Sequence, residues 1–309
     1  MAKTCPFFGI CGGCRYDFAS PDYHTKKLSQ LDNLPTTADA VWIDSGTRRR
    51  ADFAFAPGVF GFFERASKNI IPVRCCPNLL PEINEVLPAV ASLPWCGAGA
   101  CLITVCDNGI DIAITSNLSY FTPEFRDAAT RLPVIRVSWN GKIIKQSVAP
   151  IINFAGHTVE YPIGAFLQPS SAGADALREL VVSRASGMGR IADLFCGLGN
   201  FTFVLNADGF DIVGTGVKRD LFKKPLTVGM LNQYDCVVLD PPRAGAIAQC
   251  QELTRSNVSR IIYVSCNPQT FIRDMEILTR GGYKNTELIP VDQFAGSHHW
   301  ELFSVFTRD

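Results

Sequence analysis

The stretch Arg190-Ile191-Ala192-Asp193-Leu194-Phe195, followed by Cys196-Gly197-Leu198-Gly199-Asn200, decides the fold class of this chain. The first six residues predict a β-strand, and the glycines after them predict a tight turn that opens into a helix. This order of strand, glycine turn and helix brings backbone amides close to a nucleotide-like ligand in open α/β sheets. A glycine turn by itself is a weak signal, so its meaning depends on the motifs that follow it.

Two further strand patterns follow, and each ends in a motif with chemical meaning. One apolar run stops at Asp240-Pro241-Pro242-Arg243, and the run Arg260–Ser265 delivers Cys266, after which Asn267-Pro268 ends the strand. The carboxyl ends of such strands form the ligand site of an open α/β sheet. We therefore interpret Cys266 as a potential nucleophile beside a pocket for a planar base. The glycine turn then favours an adenosine-containing methyl donor over a dinucleotide.

The residues before the glycine turn predict a different architecture. Between residues 41 and 163, short apolar runs alternate with turn signals, and Asp107-Asn108-Gly109 is the clearest hairpin turn. We expect a mainly β domain here, with one helix near residues 82–93 and an earlier helix over residues 21–34. The pattern changes near Gly164, after which residues 170–185 have a helical pattern. The chain is therefore predicted to form two domains, 1–163 and 164–309.

Composition limits the class of protein. The chain has 309 residues, of which 47% are hydrophobic, and its formal net charge is zero. It can bury a large core, and we expect a soluble, monomeric, cytoplasmic protein, because it shows neither an apolar signal region nor a stretch able to span a bilayer. The zero net charge does not indicate a nucleic-acid partner, although Arg48-Arg49-Arg50 and Lys218-Arg219 can form local basic patches.

The distribution of cysteines predicts a metal site. The chain has 12 cysteines, which in a cytoplasmic protein indicate metal binding or catalysis rather than disulfides. Cys5, Cys11 and Cys14 lie in one loop, and we expect Cys76 to be the fourth ligand, with Cys75 as the alternative. Four cysteines hold either zinc or an iron-sulfur cluster, and spacing alone does not separate the two.

Taken together, these motifs resemble the RNA uracil-5-methyltransferase family, and specifically its iron-sulfur branch. The resemblance covers nearly the whole chain and rests on the order of its motifs: the loop from Cys5 to Cys14, Cys76-Pro77, Phe166-Leu167-Gln168-Pro169, Asp193-Leu194-Phe195-Cys196-Gly197, Asp240-Pro241-Pro242-Arg243, Ser265-Cys266-Asn267-Pro268 and His299-Trp300-Glu301. It implies a Rossmann-like class I methyltransferase domain that uses S-adenosylmethionine, preceded by the mainly β domain with a cysteine-bound 4Fe-4S cluster. The implied partner is RNA, with ribosomal RNA favoured over transfer RNA. We expect the amino-terminal RNA-binding barrel of many relatives to be absent.

The resemblance also implies a role for each site residue. Cys266 would attack carbon 6 of uracil, and carbon 5 of the resulting enolate would take the donor methyl group. Glu301 would then remove the proton from carbon 5 so that the thiolate can leave. The positions that match the family's donor site are Gln168, Phe195, Asn200, Asp220 and Asp240.

The sequence departs from the family pattern on the donor side. The span between Asp193 and Asp240 is short for the further strands and helices expected there, since one βαβ unit takes roughly 30 residues or more. The turn-forming residues 206–209 cut the first helix short, and we infer that one strand and one helix are lost or heavily remodelled. No confident ribose-binding acid follows, and Asp211 is a poor substitute because it lies within a strand-like run. Trp300 also replaces the usual aliphatic residue.

Three functions therefore compete at the level of sequence. The leading hypothesis is an S-adenosylmethionine-dependent RNA uracil-5-methyltransferase. The second is a non-catalytic iron-sulfur RNA-binding protein that has lost donor binding. The third is a zinc-bearing structural protein, which would show no visible absorbance when purified under anaerobic conditions.

Overall fold

The computed structural model describes residues 5–308 and contains two large β-sheets, each with its own hydrophobic core. The elements before residue 164 are the helices α1 (Tyr23–Leu28), α2 (Pro81–Ala91) and α3 (Pro123–Thr130), a 3-10 turn (Ser29–Leu31), and the strands β1 (Val41–Trp42), β2 (Arg50–Ala56), β3 (Val59–Phe63), β4 (Ile70–Ile71), β5 (Gly99–Cys106), β6 (Gly109–Ser116), β7 (Arg136–Trp139), β8 (Lys142–Gln146), β9 (Ile151–Phe154) and β10 (His157–Glu160).

The first sheet has the strand order β4-β3-β2-β5-β6-β7-β8 and is antiparallel except between β6 and β7. Its core is aromatic: Trp95 lies 4.4 Å from Phe55, and Trp139 lies 5.1 Å from Phe125, between ring centroids. As the sequence predicts, this region is mainly β, α2 occupies the expected place, and Asp107-Asn108 turns β5 into β6.

The second sheet carries the motifs that decided the fold class. Its elements are the helices α4 (Ser171–Ala185), α5 (Thr202–Leu205), α6 (Val228–Leu231), α7 (Ile247–Thr254) and α8 (Pro268–Arg280), and the strands β11 (Ile191–Leu194), β12 (Asp208–Asp211), β13 (Val217–Lys218), β14 (Cys236–Leu239), β15 (Arg260–Ser265), β16 (Lys284–Asp292) and β17 (Glu301–Thr307). The strand order is β1-β16-β17-β15-β14-β11-β12-β13. The strands β11 to β15 run parallel, and β17 runs antiparallel to both of its neighbours.

The inference that one strand and one helix are lost or heavily remodelled is confirmed, because β12 is present but β13 is reduced to two residues. What is missing is the crossover helix between them: residues 212–216 form a five-residue link between two parallel strands. Parallel neighbours usually need a crossover of a dozen residues or more. The short link suffices here because β13 has only two residues. After Asp211, the chain needs to return by only one residue position along the sheet, so that Val217 lies opposite Phe210.

The amino-terminal segment packs on the second sheet. The strand β1 is an edge strand of this sheet and pairs with β16, and the fully buried Lys27 of α1 forms a 2.5 Å ion pair with Asp292 at the end of β16. The helix predicted over residues 21–34 is shorter than expected, because α1 ends at Leu28 and continues only as a 3-10 turn. Within residues 5–308, every helix is too short or too polar to cross a membrane.

Candidate active site

Strand register brings the proposed nucleophile and base to one edge of the second sheet. Ser265, the last residue of β15, pairs with Leu302 of the antiparallel β17, so Cys266 and Glu301 are the next residues along two adjacent strands. Residues opposite each other on adjacent strands have Cβ atoms about 5 Å apart. The neighbouring β14 ends at Leu239, which pairs with Tyr263, so Asp240 emerges at the same edge.

Cys266 lies at a strand-to-helix junction. Asn267 caps α8 by accepting a 3.1 Å hydrogen bond from the Gln269 backbone, and Pro268 begins the helix, so the chain turns sharply just after the thiol. The side chain is half-buried. Burial, followed by the negative charges of Glu301 and Asp240, raises the pKa of Cys266 to about 12, and Arg243 opposes this increase. The thiol is therefore protonated at neutral pH and needs a neighbouring base or an added positive charge to become a nucleophile.

Glu301 is buried, and burial raises its pKa to about 7. A hydrogen bond of 2.9 Å from Gln293 Nε2 to Glu301 Oε2 favours the ionised form and opposes that increase. A carboxyl group that titrates near neutral pH is matched to general-base work.

A chain of two amides joins Glu301 to Asp240. Gln293 Nε2 also donates to Gln168 Oε1 at 2.8 Å, and Gln168 Nε2 donates to Asp240 Oδ2 at 3.4 Å. Burial first, and then the charge of Glu301, raises the pKa of Asp240 well above its ordinary value. The sequence did not identify Gln293. The only signal was its position, since it directly follows the last residue of the apolar strand β16.

The glycine turn after β11 forms the adjoining part of the site. Phe195, the first residue after β11, has a φ of +63° and lies 5.3 Å from Phe222 between ring centroids. Left-handed backbone at a bulky residue costs energy and clusters at functional positions. Asn200 accepts a 3.0 Å hydrogen bond from Arg178 through Oδ1, and its Nδ2 is buried without a partner among residues 5–308.

Asp193, in the middle of this strand, is fully buried. Its Oδ2 accepts a 2.5 Å hydrogen bond from the Thr202 hydroxyl, while Oδ1 lacks a partner in the described chain. Burial raises the pKa of Asp193 to about 7. An unpartnered buried carboxylate oxygen is costly, so a cationic ligand group at this position would relieve that cost.

The two acids considered for the donor's nucleoside differ in whether they contact the glycine turn. Asp211, judged a poor substitute from sequence, is the last residue of β12, and its Oδ2 accepts a 2.9 Å hydrogen bond from Gly197 N in the glycine turn. A ribose-binding acid in Rossmann-like folds follows the glycine motif on the next strand. Both acids also cap their own turns: Asp211 Oδ1 accepts from the backbones of Ile212 and Val213 at 2.6 and 3.2 Å, and Asp220 Oδ1 accepts from those of Phe222 and Lys223 at 3.2 Å.

The amino-terminal cysteines lie close together. Burial, followed by the negative charges of Cys76, Cys11 and Cys5, raises the pKa of Cys14 to about 12. Cys75, the alternative fourth ligand, is exposed, whereas the other four are half-buried. Among residues 5–308, these thiols do not form a set arranged to hold a metal ion.

Comparison with known proteins gives the family. The model of a family described as tRNA (Uracil-5-)-methyltransferase matches residues 218–308, the part of the chain that carries Asp240, Cys266 and Glu301. An uncharacterized RNA methyltransferase of Agrobacterium fabrum is 35% identical over 97% of this chain and 83% of its own length. That alignment extends over 345 positions, more than the 309 residues of the chain, so the relative carries residues that this chain lacks.

Two further relatives cover nearly the whole chain. The 23S rRNA (uracil(1939)-C(5))-methyltransferase RlmD of Salmonella typhi is 26% identical over 98% of this chain and 81% of its own. The tRNA (uracil-54, C5)-methyltransferase of Pyrococcus abyssi, solved in complex with S-adenosyl-L-homocysteine, shares the fold with a TM-score of 0.70. It is 20% identical, and the match covers 93% of this chain and 82% of that protein. With Cys266, Asp240 and Glu301 at one sheet edge, the chain belongs to the RNA uracil-5-methyltransferase family.

Proposed function

We propose that the protein transfers a methyl group from S-adenosylmethionine to carbon 5 of a uracil in RNA, through a covalent adduct on Cys266. The observation that carries this proposal is the register of β15 and β17, which puts the Cys266 thiol and the Glu301 carboxyl group on adjacent strand ends. Ribosomal RNA is the favoured substrate class, because RlmD, whose match covers 98% of this chain, is named for 23S rRNA.

The reaction uses these two residues in turn. The thiolate of Cys266 forms a bond to carbon 6 of the ring, and the electron pair moves to carbon 5 and the carbonyl oxygen as an enolate. The proton that the thiol loses passes to the ionised carboxylate of Asp240, which emerges at the same sheet edge and whose charge acts on Cys266. Once carbon 5 carries the methyl group, Glu301 removes the proton that carbon 5 still holds. The electron pair of that carbon–hydrogen bond reforms the ring double bond, and the Cys266 thiolate leaves.

The donor side offers groups that fit S-adenosylmethionine, which supplies an electrophilic methyl group on a sulfonium. Asp193 Oδ1 and Asn200 Nδ2 are buried without partners in the described residues, so bound polar groups of a ligand would satisfy them. Phe195 offers a half-exposed ring, Asp211 lies beside the glycine turn, and Gln168 supports Asp240. We keep Asp220 as an adenine-side residue of lesser effect, because its carboxylate bonds the backbones of Phe222 and Lys223 rather than the glycine turn.

We also propose that Cys5, Cys11, Cys14 and Cys76 hold a 4Fe-4S cluster. An all-cysteine ligand set suits such a cluster, and Cys14 lies near enough to Cys76, Cys11 and Cys5 for their charges to raise its pKa. Zinc is the alternative, since it takes the same ligands. Visible absorbance of protein purified under anaerobic conditions supports the cluster, and colourless protein that contains zinc would refute it.

A second candidate function is RNA binding without catalysis, favoured by the five-residue link and the four-residue helix on the donor side. Calorimetric titration with S-adenosylmethionine decides between the two. Saturable heat of binding supports the enzyme, and no heat from well-folded, cluster-loaded protein supports the non-catalytic candidate.

The covalent step is tested by changing the base. With Glu301→Gln, the thiol still adds to uracil but the carbon 5 proton stays, so a covalent RNA adduct should accumulate and shift the protein on a denaturing gel. Glu287→Gln is the matched control, because Glu287 lies on the neighbouring β16 and pairs with Arg184 away from the site. An unshifted Glu301→Gln band, from protein that binds donor and RNA, would refute the covalent mechanism.

A further inference from the structure

We propose that Gln293 is a positioning residue for proton removal: it aims the Glu301 carboxylate at carbon 5 and ties its alignment to the donor side through Gln168. The inference rests on the proposed function and deepens it, because it concerns how the base is held rather than which base acts.

The hydrogen bonds of Gln293 have one arrangement that satisfies both partners. An amide nitrogen has two hydrogens, and Gln293 Nε2 lies 2.9 Å from Glu301 Oε2 and 2.8 Å from Gln168 Oε1. Both hydrogens are therefore used, one toward the base and one toward the residue that contacts Asp240. Within the described residues, Glu301 Oε1 takes part in no such bond, which leaves that oxygen for the substrate proton.

The backbone around Gln293 is held by a buried polar cluster. The preceding residue, Asp292, accepts a 2.5 Å hydrogen bond from Lys27 Nζ and another from the Tyr23 hydroxyl. Asp292 Oδ1 also accepts from the backbone of Phe294 at 2.9 Å, and Tyr23 accepts from the backbone of Gly296 at 2.9 Å. Because residues on both sides of Gln293 are anchored, its side chain has little freedom to leave the network.

The opposite wall is shaped to fit this side chain. A Cβ placed on Gly173, in the first turn of α4, would lie 2.6 Å from Gln293 Oε1 and 2.7 Å from Gln293 Cβ. Only glycine gives Gln293 its present place, although alanine is the better helix former at Gly173. Gln293 Oε1 is itself buried without a hydrogen-bond partner in residues 5–308. An unsatisfied buried acceptor lowers the stability of the fold, so keeping the amide here is destabilising.

The test separates addition of the thiol from loss of the proton. Full-length Gln293→Met protein is given S-adenosylmethionine and RNA that carries tritium at carbon 5 of uridine. Tritium release reports proton removal, and a denaturing gel reports the covalent adduct. We expect tritium release to fall about 10- to 100-fold, as for loss of a hydrogen bond to a charged group, while the adduct accumulates.

The pH profile gives a readout that a merely structural role would not change. The amide donates to Glu301 and favours its ionised form, so its removal raises the pKa of Glu301 above its value of about 7. The pH at which tritium release is half-maximal should therefore move upward in Gln293→Met.

Two further variants control for stability. Gln249, on α7, is also a buried amide, and it bonds the Leu226 backbone at 2.8 and 3.1 Å. We expect Gln249→Met to lower stability without raising the adduct or shifting the pH profile. Gly173→Ala removes no functional side chain, but its added Cβ displaces Gln293. It should therefore reproduce the Gln293→Met phenotype more weakly.

The outcomes of these measurements differ for the two proposals. If the unaltered protein releases no tritium, the proposed function fails. If the unaltered protein releases tritium, and Gln293→Met matches Gln249→Met in tritium release, adduct and pH profile, the role of Gln293 is overturned.

Discussion

The two halves of the second sheet differ in how completely they are built. The half that carries the thiol and the base has strands β15, β17 and β16 of six, seven and nine residues, and the 13-residue helix α8 packs against it. The donor half ends in β12 and β13, of four and two residues, joined by a short loop. The comparison shows that the sheet keeps the strand order β11-β12-β13 without the helix that usually connects two parallel strands.

On the donor side, close contacts between glycines hold the chain where a crossover helix usually packs. A Cβ on Gly214 would lie 1.8 Å from the carbonyl oxygen of Gly197, so the 212–216 loop packs directly on the glycine turn. Thr215 N donates to that carbonyl at 3.2 Å, and Asp211 Oδ2 accepts from Gly197 N at 2.9 Å. The turn is therefore held in place by backbone contact with a neighbouring loop.

The largest effect should come from the thiol half. Cys266→Ala removes the nucleophile, so methyl transfer should fall about 10⁴-fold or more. Binding of S-adenosylmethionine should stay within about twofold, because the donor half is separate from Cys266. Methyl transfer to RNA and calorimetry on the same sample measure the two. A parallel loss of donor binding would mean that the halves are one coupled unit.

A smaller effect should come from the glycine contact. Gly214→Ala forces a Cβ against Gly197 at a φ of +115°, so we expect unfolding to become easier by about 3 kcal/mol, with weaker donor binding. Gly187→Ala is the matched control, because its φ is +76° but no atom lies within 4 Å of the added Cβ. It should cost only about 1 kcal/mol in chemical denaturation. Equal costs would show that the loop contact is unimportant.

The smallest effect separates the two donor-side acids. Asp211→Asn weakens a charged contact at the glycine turn, so the dissociation constant for S-adenosylmethionine should rise about 10- to 30-fold. Asp220→Asn should change it less than about threefold, because Asp220 bonds the backbones of Phe222 and Lys223 rather than the glycine turn. Calorimetry compares the two directly, and the reverse order would restore Asp220 as the principal acid.

Local sequence signals predicted those elements whose patterns are strong and self-contained. The strand β15 has the predicted bounds, because Arg260–Ser265 is rich in β-branched and aromatic residues and ends before Asn267-Pro268. The helix α4 begins at Ser171, after Ser170 caps it as residues 170–185 predicted. These patterns depend on neighbours in the chain, so a single sequence reveals them.

The features that the sequence missed depend on distant partners. The two-residue strands β1 and β13 form only because an edge of the sheet is available to pair with. On sequence grounds, Asp211 is discounted as a ribose-binding acid because it lies within a strand-like run, yet Asp211 is the last residue of β12. A shift of one position along a strand turns a side chain to the other face, so the exact end of the strand matters. Gln293 acts on Gln168, 125 positions earlier, and no local pattern encodes that contact.

By itself, the sequence determined the Rossmann-like fold and the family, and it supplied the thiol and the base that we propose, because these follow from strand patterns and residue types at strand ends. Only the tertiary structure decided which side chains bond Glu301 and which acid lies at the glycine turn. It also decided how β12 and β13 stay paired without a crossover helix between them. Those properties depend on hydrogen bonds and packing between segments far apart in the chain. They arise only when the sheet has assembled.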